Sequence, residues 1–523
     1  MALYSLVQTA DAFATAVVIP DSDAPKSFSF ATLQHNVDQL RAYLVTLPSK
    51  SIIAFSLPNG YPFLNLFLAI TAQEHIAAPL NPAYKEHDVQ FYIEDLQPSL
   101  MIVPPGWIKD GMDVVKVCRR YAVPIVEIYF DAKHGFSLVD KNQRALNHIN
   151  LDCLSLPPEF DPTETTALIL HTSGTTGRPK GVPLSHQNIM TSCKNITQTY
   201  KLSSLDRSLV VMPLFHVHGL IGATLSTLYS KGSLVIPGKF SAKHHWIWCD
   251  KFNVTWFTAV PTIHSILLTH PPPPVSVTTK LRFIRSCSSA LAPATFKAME
   301  DAWNVPVLEA YAMSEAAHQM CSNPLPPLQH ASGTVGTPHG SVKIYIRDDH
   351  GHPVPDGCEG EICVQGDNVI KEYRNNPKAT KESFFDKNWF RTGDRGLIDP
   401  ESHGYVRITG RIKEMINHKG EKISPLELDA ALLACQGVKE AVCFGIPDEI
   451  AGEVPACALV LEKNISVDHV LKEMSEKVAS FKIPKKVWVV DVMNKTATGK
   501  IQRRKIRDTY LALDNDSGLK SKL

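Results

Sequence analysis

Between Leu168 and His186 the chain reads LILHTSGTTGRPKGVPLSH, an apolar run that empties into a loop of glycines, hydroxyls and two cations. That loop limits what the surrounding fold can be for. Gly174 and Gly177 let backbone N–H groups approach an anion, the hydroxyls of Thr172, Ser173, Thr175 and Thr176 add donors, and Lys180 adds a point charge. The combination suits a polyphosphate. It is not a Walker A loop: Pro179 stands where that motif needs its second Gly, and Gly181 follows the Lys in place of Ser or Thr. A P-loop kinase or ATPase is therefore disfavoured.

Around this loop, short apolar runs alternate with helical patterns, the rhythm of βα units. Strands are expected at Ala167–Leu170, Ser208–Met212, Leu281–Ser286 and Val305–Leu308, with Pro293 opening a helix after the third. Pro271–Pro274 reads as a stiff surface connection. After about residue 330, Gly, Asp and Pro turns separate short alternating strands, such as Gly360–Gly366 and Gly404–Gly410, which suggests antiparallel pairing. Beyond Arg411 a compact α+β pattern follows. Ser424 as N-cap, Pro425 and Glu427 predict a helix from Pro425 to Cys435. Strands at Ala441–Ile446, Ala456–Leu461 and Val487–Val490 and a helix at Val467–Val478 complete it. The expected fold is α/β: a large multi-subdomain N-terminal body over 1–410, with βα sheets and a small antiparallel region, and a small mobile α+β lid over 411–523.

Composition narrows the function classes. Lys plus Arg (53) and Asp plus Glu (52) leave a net charge of +1, so the chain as a whole has no electrostatic footprint for nucleic acid or membrane. The longest apolar candidate, around Phe63–Ala72, is too short to span a bilayer and is broken by Asn65. The N-terminus lacks the basic region of a secretory signal. Eleven Cys without a C-x-x-C pair read as reduced thiols, not a disulfide framework or zinc site. The chain ends Ser521-Lys522-Leu523, the tripeptide read by the peroxisomal import receptor, behind a polar stretch, Asp514–Lys520. The expected location is the peroxisomal matrix, with the cytoplasm holding any fraction not imported. The run Arg503-Arg504-Lys505 leaves open a basic surface for RNA, on a catalytically idle scaffold protein, or simply a terminal helix that also carries Ile501 and Ile506.

Further blocks stand in order along the chain: Glu309-Ala310-Tyr311-Ala312-Met313-Ser314-Glu315, Arg391-Thr392-Gly393-Asp394, Thr409-Gly410-Arg411-Ile412-Lys413-Glu414 and Lys495-Thr496-Ala497-Thr498-Gly499-Lys500. With Ser173–Gly181 they resemble the signatures of the acyl-adenylate-forming superfamily, which includes acyl-CoA synthetases, 4-coumarate–CoA ligases and firefly luciferase. The resemblance covers nearly the whole chain. It implies ATP, Mg²⁺ and coenzyme A as co-substrates or cofactor, and activation of a carboxylic acid as its adenylate. The chemistry is coherent, because a carboxylate is a poor electrophile until it gains a good leaving group.

The resemblance also implies site residues. Glu315 matches the Mg²⁺ ligand, Asp394 the carboxylate that accepts from both ribose hydroxyls, and Arg411 its cationic partner. Tyr311 is expected against the adenine, with Ser289 and Ala290 on its other side and Glu309, Ala310, Ala312 and Ser314 in the same nucleotide site. Lys500 is expected to bridge the acid's oxygen and the α-phosphate, with Lys180 on the polyphosphate. Lys413 matches a hinge about which the lid turns for thioester formation, offering Gly420-Glu421-Lys422 to the second half-reaction.

The acid is chosen by the pocket. Phe215-His216-Val217-His218-Gly219 and Arg285-Ser286-Cys287-Ser288-Ser289-Ala290 should enter it, with His318 and Gln319 just past Glu315 on the same helix. Histidines, hydroxyls and an Arg suit a small dicarboxylate better than an apolar tunnel would. These segments look like the peroxisomal oxalate–CoA ligase group, which implies oxalate as the acid and His218, Ser289, Ser314 and His318 nearest to it, with His216 shaping the wall. A medium-chain or aryl acid is the alternative. Ser288-Ser289 where many relatives have two Gly, Ser314 for the usual Thr, and Asn494 where Pro is frequent are the departures.

Overall fold

The computed structural model describes residues 3–9, 11–20, 24–140, 142, 144, 160–172, 179–386, 388–496 and 499–517. Among these, seven strands form one sheet in the order Gly135–Val139, Ile125–Asp131, Leu100–Val103, Ile52–Phe55, Ile76–Pro79, Thr166–Thr172 and Lys180–Ser185. Its inner strands are parallel, as helical crossovers require, with Ile53 opposite both Ala77 and Leu100. All four residues of Leu100–Val103 are buried, so such strands read as unbroken apolar runs. The apolar segment beginning at Tyr61 is a core helix, Tyr61–Ala72. Among the described residues no helix is long and apolar enough to cross a membrane.

A second sheet of nine strands runs Thr337–Pro338, His318–Ser322, Val307–Met313, Phe283–Ser286, Trp256–Ala259, Arg207–Leu209, Ser233–Val235, Thr15–Ile19 and Lys26–Ser29. Pro293 opens the helix Pro293–Trp303 as its sequence position predicts. The strand expected over Ser208–Met212 closes at Leu209, although Val210 N–H still bonds Val235 across the sheet. A third sheet of Lys343–Arg347, Gly360–Gln365, Phe384–Phe385, Trp389–Asp399 and Tyr405–Arg411 is antiparallel throughout.

Past Ile412 a fourth sheet joins Glu421–Ile423, Ile416–His418, Gly452–Leu461, Val438–Asp448 and Lys486–Val489. Ser424 caps the helix Pro425–Leu433 by accepting from the Glu427 N–H. Two clusters of buried apolar side chains lie in this part: Ile416, Leu428, Leu432 and Val470 in one, Val442, Phe444, Met493 and Ile506 in the other. Arg503 of the terminal basic run belongs to this packing, whereas Arg504 and Lys505 are exposed. Arg503 sits between Asp429, 2.7 Å away, and Glu414, 3.1 Å away, and Ile506 is in the core. The helix Arg503–Ser517 takes in the start of the polar stretch Asp514–Lys520. Ten described Cys are free, and only Cys358 is exposed.

Candidate active site

The strand Thr166–Thr172 and its antiparallel partner Lys180–Ser185 bring Thr172 opposite Lys180 at the two ends of the glycine-rich loop. Ser173, Gly174, Thr175, Thr176 and Gly177 lie outside the described residues. The Lys180 ammonium stands over the Tyr373 ring, 4.4 Å from its centroid. Tyr373 in turn donates its phenolic O–H to Glu315 Oε1 at 2.7 Å. Burial pushes the Glu315 carboxyl up, against the pull of Tyr373, Lys180 and Arg411.

The next group forms where the third sheet meets the chain's passage to the smaller domain. Asp394 and Arg411 are directly opposed across an antiparallel ladder, Arg411 Nε 3.3 Å from Asp394 Oδ1. Tyr311, buried at the end of its strand, donates to Asp394 Oδ2 at 2.5 Å, and burial with Asp394 holds its phenol protonated. Glu309 lies on the same strand. It accepts from Gly333 N–H at 2.9 Å, and burial raises its carboxyl to about 7. Ala310 and Ala312 pair with Ser322 and Gln319 of the neighbouring strand. Ser289 and Ala290 are exposed.

Lys500 enters this group from the smaller domain. Burial first, then Arg411, lowers its ammonium to about 8, while Asp394, Glu414 and Glu315 pull the other way. One amine therefore feels the charges of Asp394, Arg411 and Glu315 together, residues separated by up to 185 positions from it in sequence. Lys413 lies in the single turn Ile412–Glu414 between the third and fourth sheets, exposed to solvent.

The histidine group corrects one expectation. His318 and Gln319 are not on a helix with Glu315: Ser314–Ala316 is one 3₁₀ turn, and His318–Ser322 is a strand antiparallel to Val307–Met313. SEAAHQM carries helix formers, but the sheet claims it, with Ala317 at φ 46° and His318 at φ 97° making the reversal. The outcome turns His318 inward. Arg285 Nη1 donates to His318 Nε2 at 2.8 Å, and Nη2 to Gln319 Oε1 at 3.0 Å. His218 stacks on His318 with centroids 5.2 Å apart, bonded at Nδ1 to Ser288 Oγ (3.0 Å) and at Nε2 to Thr258 Oγ1 (2.6 Å). Burial and Arg285 hold both histidines neutral. Gly222 makes room for this: a Cβ there would meet His318 Nε2 at 2.3 Å. His216 is half-buried, lowered to about 4 by burial and by Lys500, which ties the histidine group to the nucleotide group. Ser314 is half-buried next to Glu315.

Arg285 is completely buried, and among the described residues it forms no ion pair with a carboxylate. His318 Nδ1 is likewise buried without a partner. Because Nε2 accepts from Arg285, the proton of the neutral ring resides on Nδ1. Among the described residues the histidine group thus holds a cation without a carboxylate partner beside an unused donor.

Two family models match this chain: AMP-binding enzyme over residues 6–374, and AMP-binding enzyme C-terminal domain over 427–500. The chain belongs to the AMP-binding enzymes. It is 46% identical over 521 residues to the oxalate–CoA ligase of Saccharomyces cerevisiae, spanning 95% of this chain and 94% of that one. It is 41% identical to the oxalate–CoA ligase of Arabidopsis thaliana (93% and 94%). Among solved structures, ATP-bound MatB from Rhodopseudomonas palustris is 27% identical, covers 98% of this chain and 99% of its own, and superposes with a TM-score of 0.86. The same protein without ligand reaches 0.76.

Within this family member, several contacts escaped sequence reasoning. Tyr373 lies in KEYRNNP, a polar stretch with nothing to mark it, and joins Lys180 to Glu315 only in three dimensions. Glu414 was legible only as part of its block. Arg285 did leave a signal, a cation inside the apolar strand Phe283–Ser286.

Proposed function

We propose that this AMP-binding enzyme is an AMP-forming oxalate–CoA ligase, converting oxalate, ATP and CoA to oxalyl-CoA, AMP and diphosphate. The observation that carries the choice of acid is the buried Arg285, which has no carboxylate partner among the described residues and stands behind the free His318 Nδ1–H. Oxalate is a small dianion. One carboxylate is consumed in the mixed anhydride with AMP while the other stays anionic, and a fixed cation with neutral donors stabilises it at every stage. A medium-chain or aryl acid would leave Arg285 facing apolar atoms, which is costly. The names borne by the Saccharomyces and Arabidopsis relatives support the same reading.

In the first half-reaction Lys500 neutralises charge on the acid oxygen and the α-phosphate as they approach, Lys180 and the loop hold the polyphosphate, and Asp394 with Arg411 orients the ribose. Tyr311, Glu309, Ala310, Ala312, Ser314, Ser289 and Ala290 frame the nucleotide. Glu315 is the chain's ligand for Mg²⁺; the ion, when bound, spreads the phosphate charge. The fit is reasonable, since a hard carboxylate is present with one oxygen, Oε1, fixed by Tyr373. No group of three or more His, Cys, Asp or Glu among the described residues could cage an ion, which suits one carried in on ATP. His218, His318, Ser289 and Ser314 bind the acid. For thioester formation, residues 411–523 turn as a lid about Lys413 and offer Gly420–Lys422 to CoA.

The C-terminal Ser521-Lys522-Leu523, outside the described residues, addresses the enzyme to the peroxisomal matrix through the import receptor. Removing it from an N-terminally tagged enzyme should leave kinetics intact and the protein in the cytosol; unchanged peroxisomal location would refute the address. The main test is acid-dependent ATP–diphosphate exchange with oxalate, malonate, acetate, coumarate and octanoate. Oxalate should be preferred; preference for octanoate overturns the assignment of the acid.

A further inference from the structure

Thr262 is the second residue of the helix Pro261–Leu268 in the large body, with no part in the nucleotide or histidine groups. Its Oγ1 donates to the carbonyl of Gly499 at 2.9 Å, across 237 positions of sequence. Gly499 immediately precedes Lys500. Its φ of +77° places it in the left-handed region, and a Cβ there would approach Val260 Cγ2 to 3.1 Å and Thr262 Cβ to 3.7 Å. The loop is compact as well as close: Gly499 N–H bonds Thr496 O at 2.9 Å, Thr496 N–H bonds Lys500 O at 2.9 Å, and Lys500 N–H bonds Thr496 Oγ1 at 3.1 Å. The described backbone next to Lys500 is thus held to the body by the hydroxyl of Thr262.

We infer that Thr262 is a positioning residue that latches the Lys500 turn onto the body for adenylate formation and must release it before the thioester step. The inference rests on the acid–CoA ligase reading above. Thr262 is well placed to do this without touching the reactants. Its helix starts directly after the strand Trp256–Ala259, whose Thr258 holds His218 Nε2, so one short segment sets both the acid pocket and the latch. A side-chain amine reaches its target reproducibly only when the backbone beneath it is held, and misplacement by about 1 Å can cost on the order of 10² in rate.

The test separates the half-reactions in the full-length enzyme. Thr262→Val keeps the shape and removes the donor; Thr262→Ser keeps the donor. With oxalate and ATP, Thr262→Val should lower the adenylation kcat about three- to tenfold, the effect of one neutral hydrogen bond, with the KM for ATP and oxalate nearly unchanged. Thr262→Ser should restore adenylation. CoA capture of supplied oxalyl-adenylate should proceed at the wild-type rate or faster in Thr262→Val, since its turn is free to leave. Equal losses in both half-reactions, or adenylation untouched in Thr262→Val, would overturn the latch while leaving the ligase reading intact. A wild-type enzyme that forms no adenylate from any acid would defeat both.

Discussion

Tyr373 donates its phenolic proton to Glu315 Oε1 at 2.7 Å while the Lys180 ammonium rests on the face of the same ring, 4.4 Å from its centre. One side chain thereby fixes the spacing between a phosphate-seeking cation and a carboxylate suited to Mg²⁺. The two would otherwise be drawn into direct contact, and each would satisfy the other in place of a nucleotide.

Tyr373→Phe keeps the ring under Lys180 and removes only the donor to Glu315. A hydrogen bond to a charged group contributes about 1.5–3 kcal/mol, so the apparent Mg²⁺ requirement of adenylation should rise about tenfold or more. Tyr373→Ala should additionally raise the KM for ATP, because Lys180 loses its rest. Titrating Mg²⁺ at fixed free ATP distinguishes the two; a Phe variant with unaltered Mg²⁺ dependence would show that the phenol has no bearing on the ion.

Lys500→Ala should cut adenylation by about 10²–10³, the scale for losing one donor to developing charge. Capture of supplied acyl-adenylate by CoA should fall much less. Single-turnover assays of each step decide it, and equal damage to both would refute a role confined to the first half-reaction.

The pH profile offers an independent reading of the same residue. Burial and Arg411 hold the Lys500 ammonium at about 8 rather than its usual 10.5. Only the protonated amine can meet phosphate and carboxylate oxygens. Adenylation kcat/KM should therefore be sustained below pH 8 and decline as pH rises through it, whereas an unshielded lysine would hold its charge past pH 9. Bound polyphosphate favours the ammonium, so the kcat limb should fall at higher pH than the kcat/KM limb. Lys500→Ala should abolish the limb in both.

Much of this site is written linearly. The capped helix at Ser424 and the antiparallel strand beginning at Gly360 follow from local rules, and the nucleotide site follows from the composition of the glycine-rich loop and from the resemblance of the ordered blocks to a known family. His318 was misread because SEAAHQM has helical propensity, and only the neighbouring strand Val307–Met313 makes it a reversal. Thr262 and Tyr373 had no sequence signal at all, since a threonine after proline and a tyrosine among polar residues acquire meaning only from partners more than 50 positions away. The basic terminal run opens a helix in which Arg503 is locked between Asp429 and Glu414 while Arg504 and Lys505 are exposed.

Glu309 gives a prediction about stability. Its carboxyl is raised from 4.5 to about 7, burial being the main cause, with Gly333 N–H and Arg407 opposing. In the unfolded chain it ionises near 4.5, so between these values the native state binds the extra proton. Stability is then fully present below about pH 4.5 and is lost as pH rises through 7, by about 3 kcal/mol for this group. Glu309→Gln removes the slope, so its stability relative to wild type should improve between pH 5 and 8. Urea unfolding at those two pH values measures it, and a pH-independent difference would show that Glu309 ionises normally in the fold.

Arg285 joins stability to function in the opposite sense. A buried guanidinium with no carboxylate partner among the described residues is costly in the ligand-free protein, and its hydrogen bonds to His318 and Gln319 offset only part of that. Arg285→Met should therefore leave the melting temperature unchanged or raise it. The same change removes the cation and frees His318 to take either tautomer, so the KM for oxalate should climb by on the order of 10² while the KM for ATP moves little. Oxalate added to wild type should raise its melting temperature by supplying the missing charge, and should not do so for the variant. Thermal melts of both proteins with and without oxalate, alongside initial rates, test all three statements together. A variant that melts far lower and still uses oxalate normally would mean that Arg285 serves the core and not the acid.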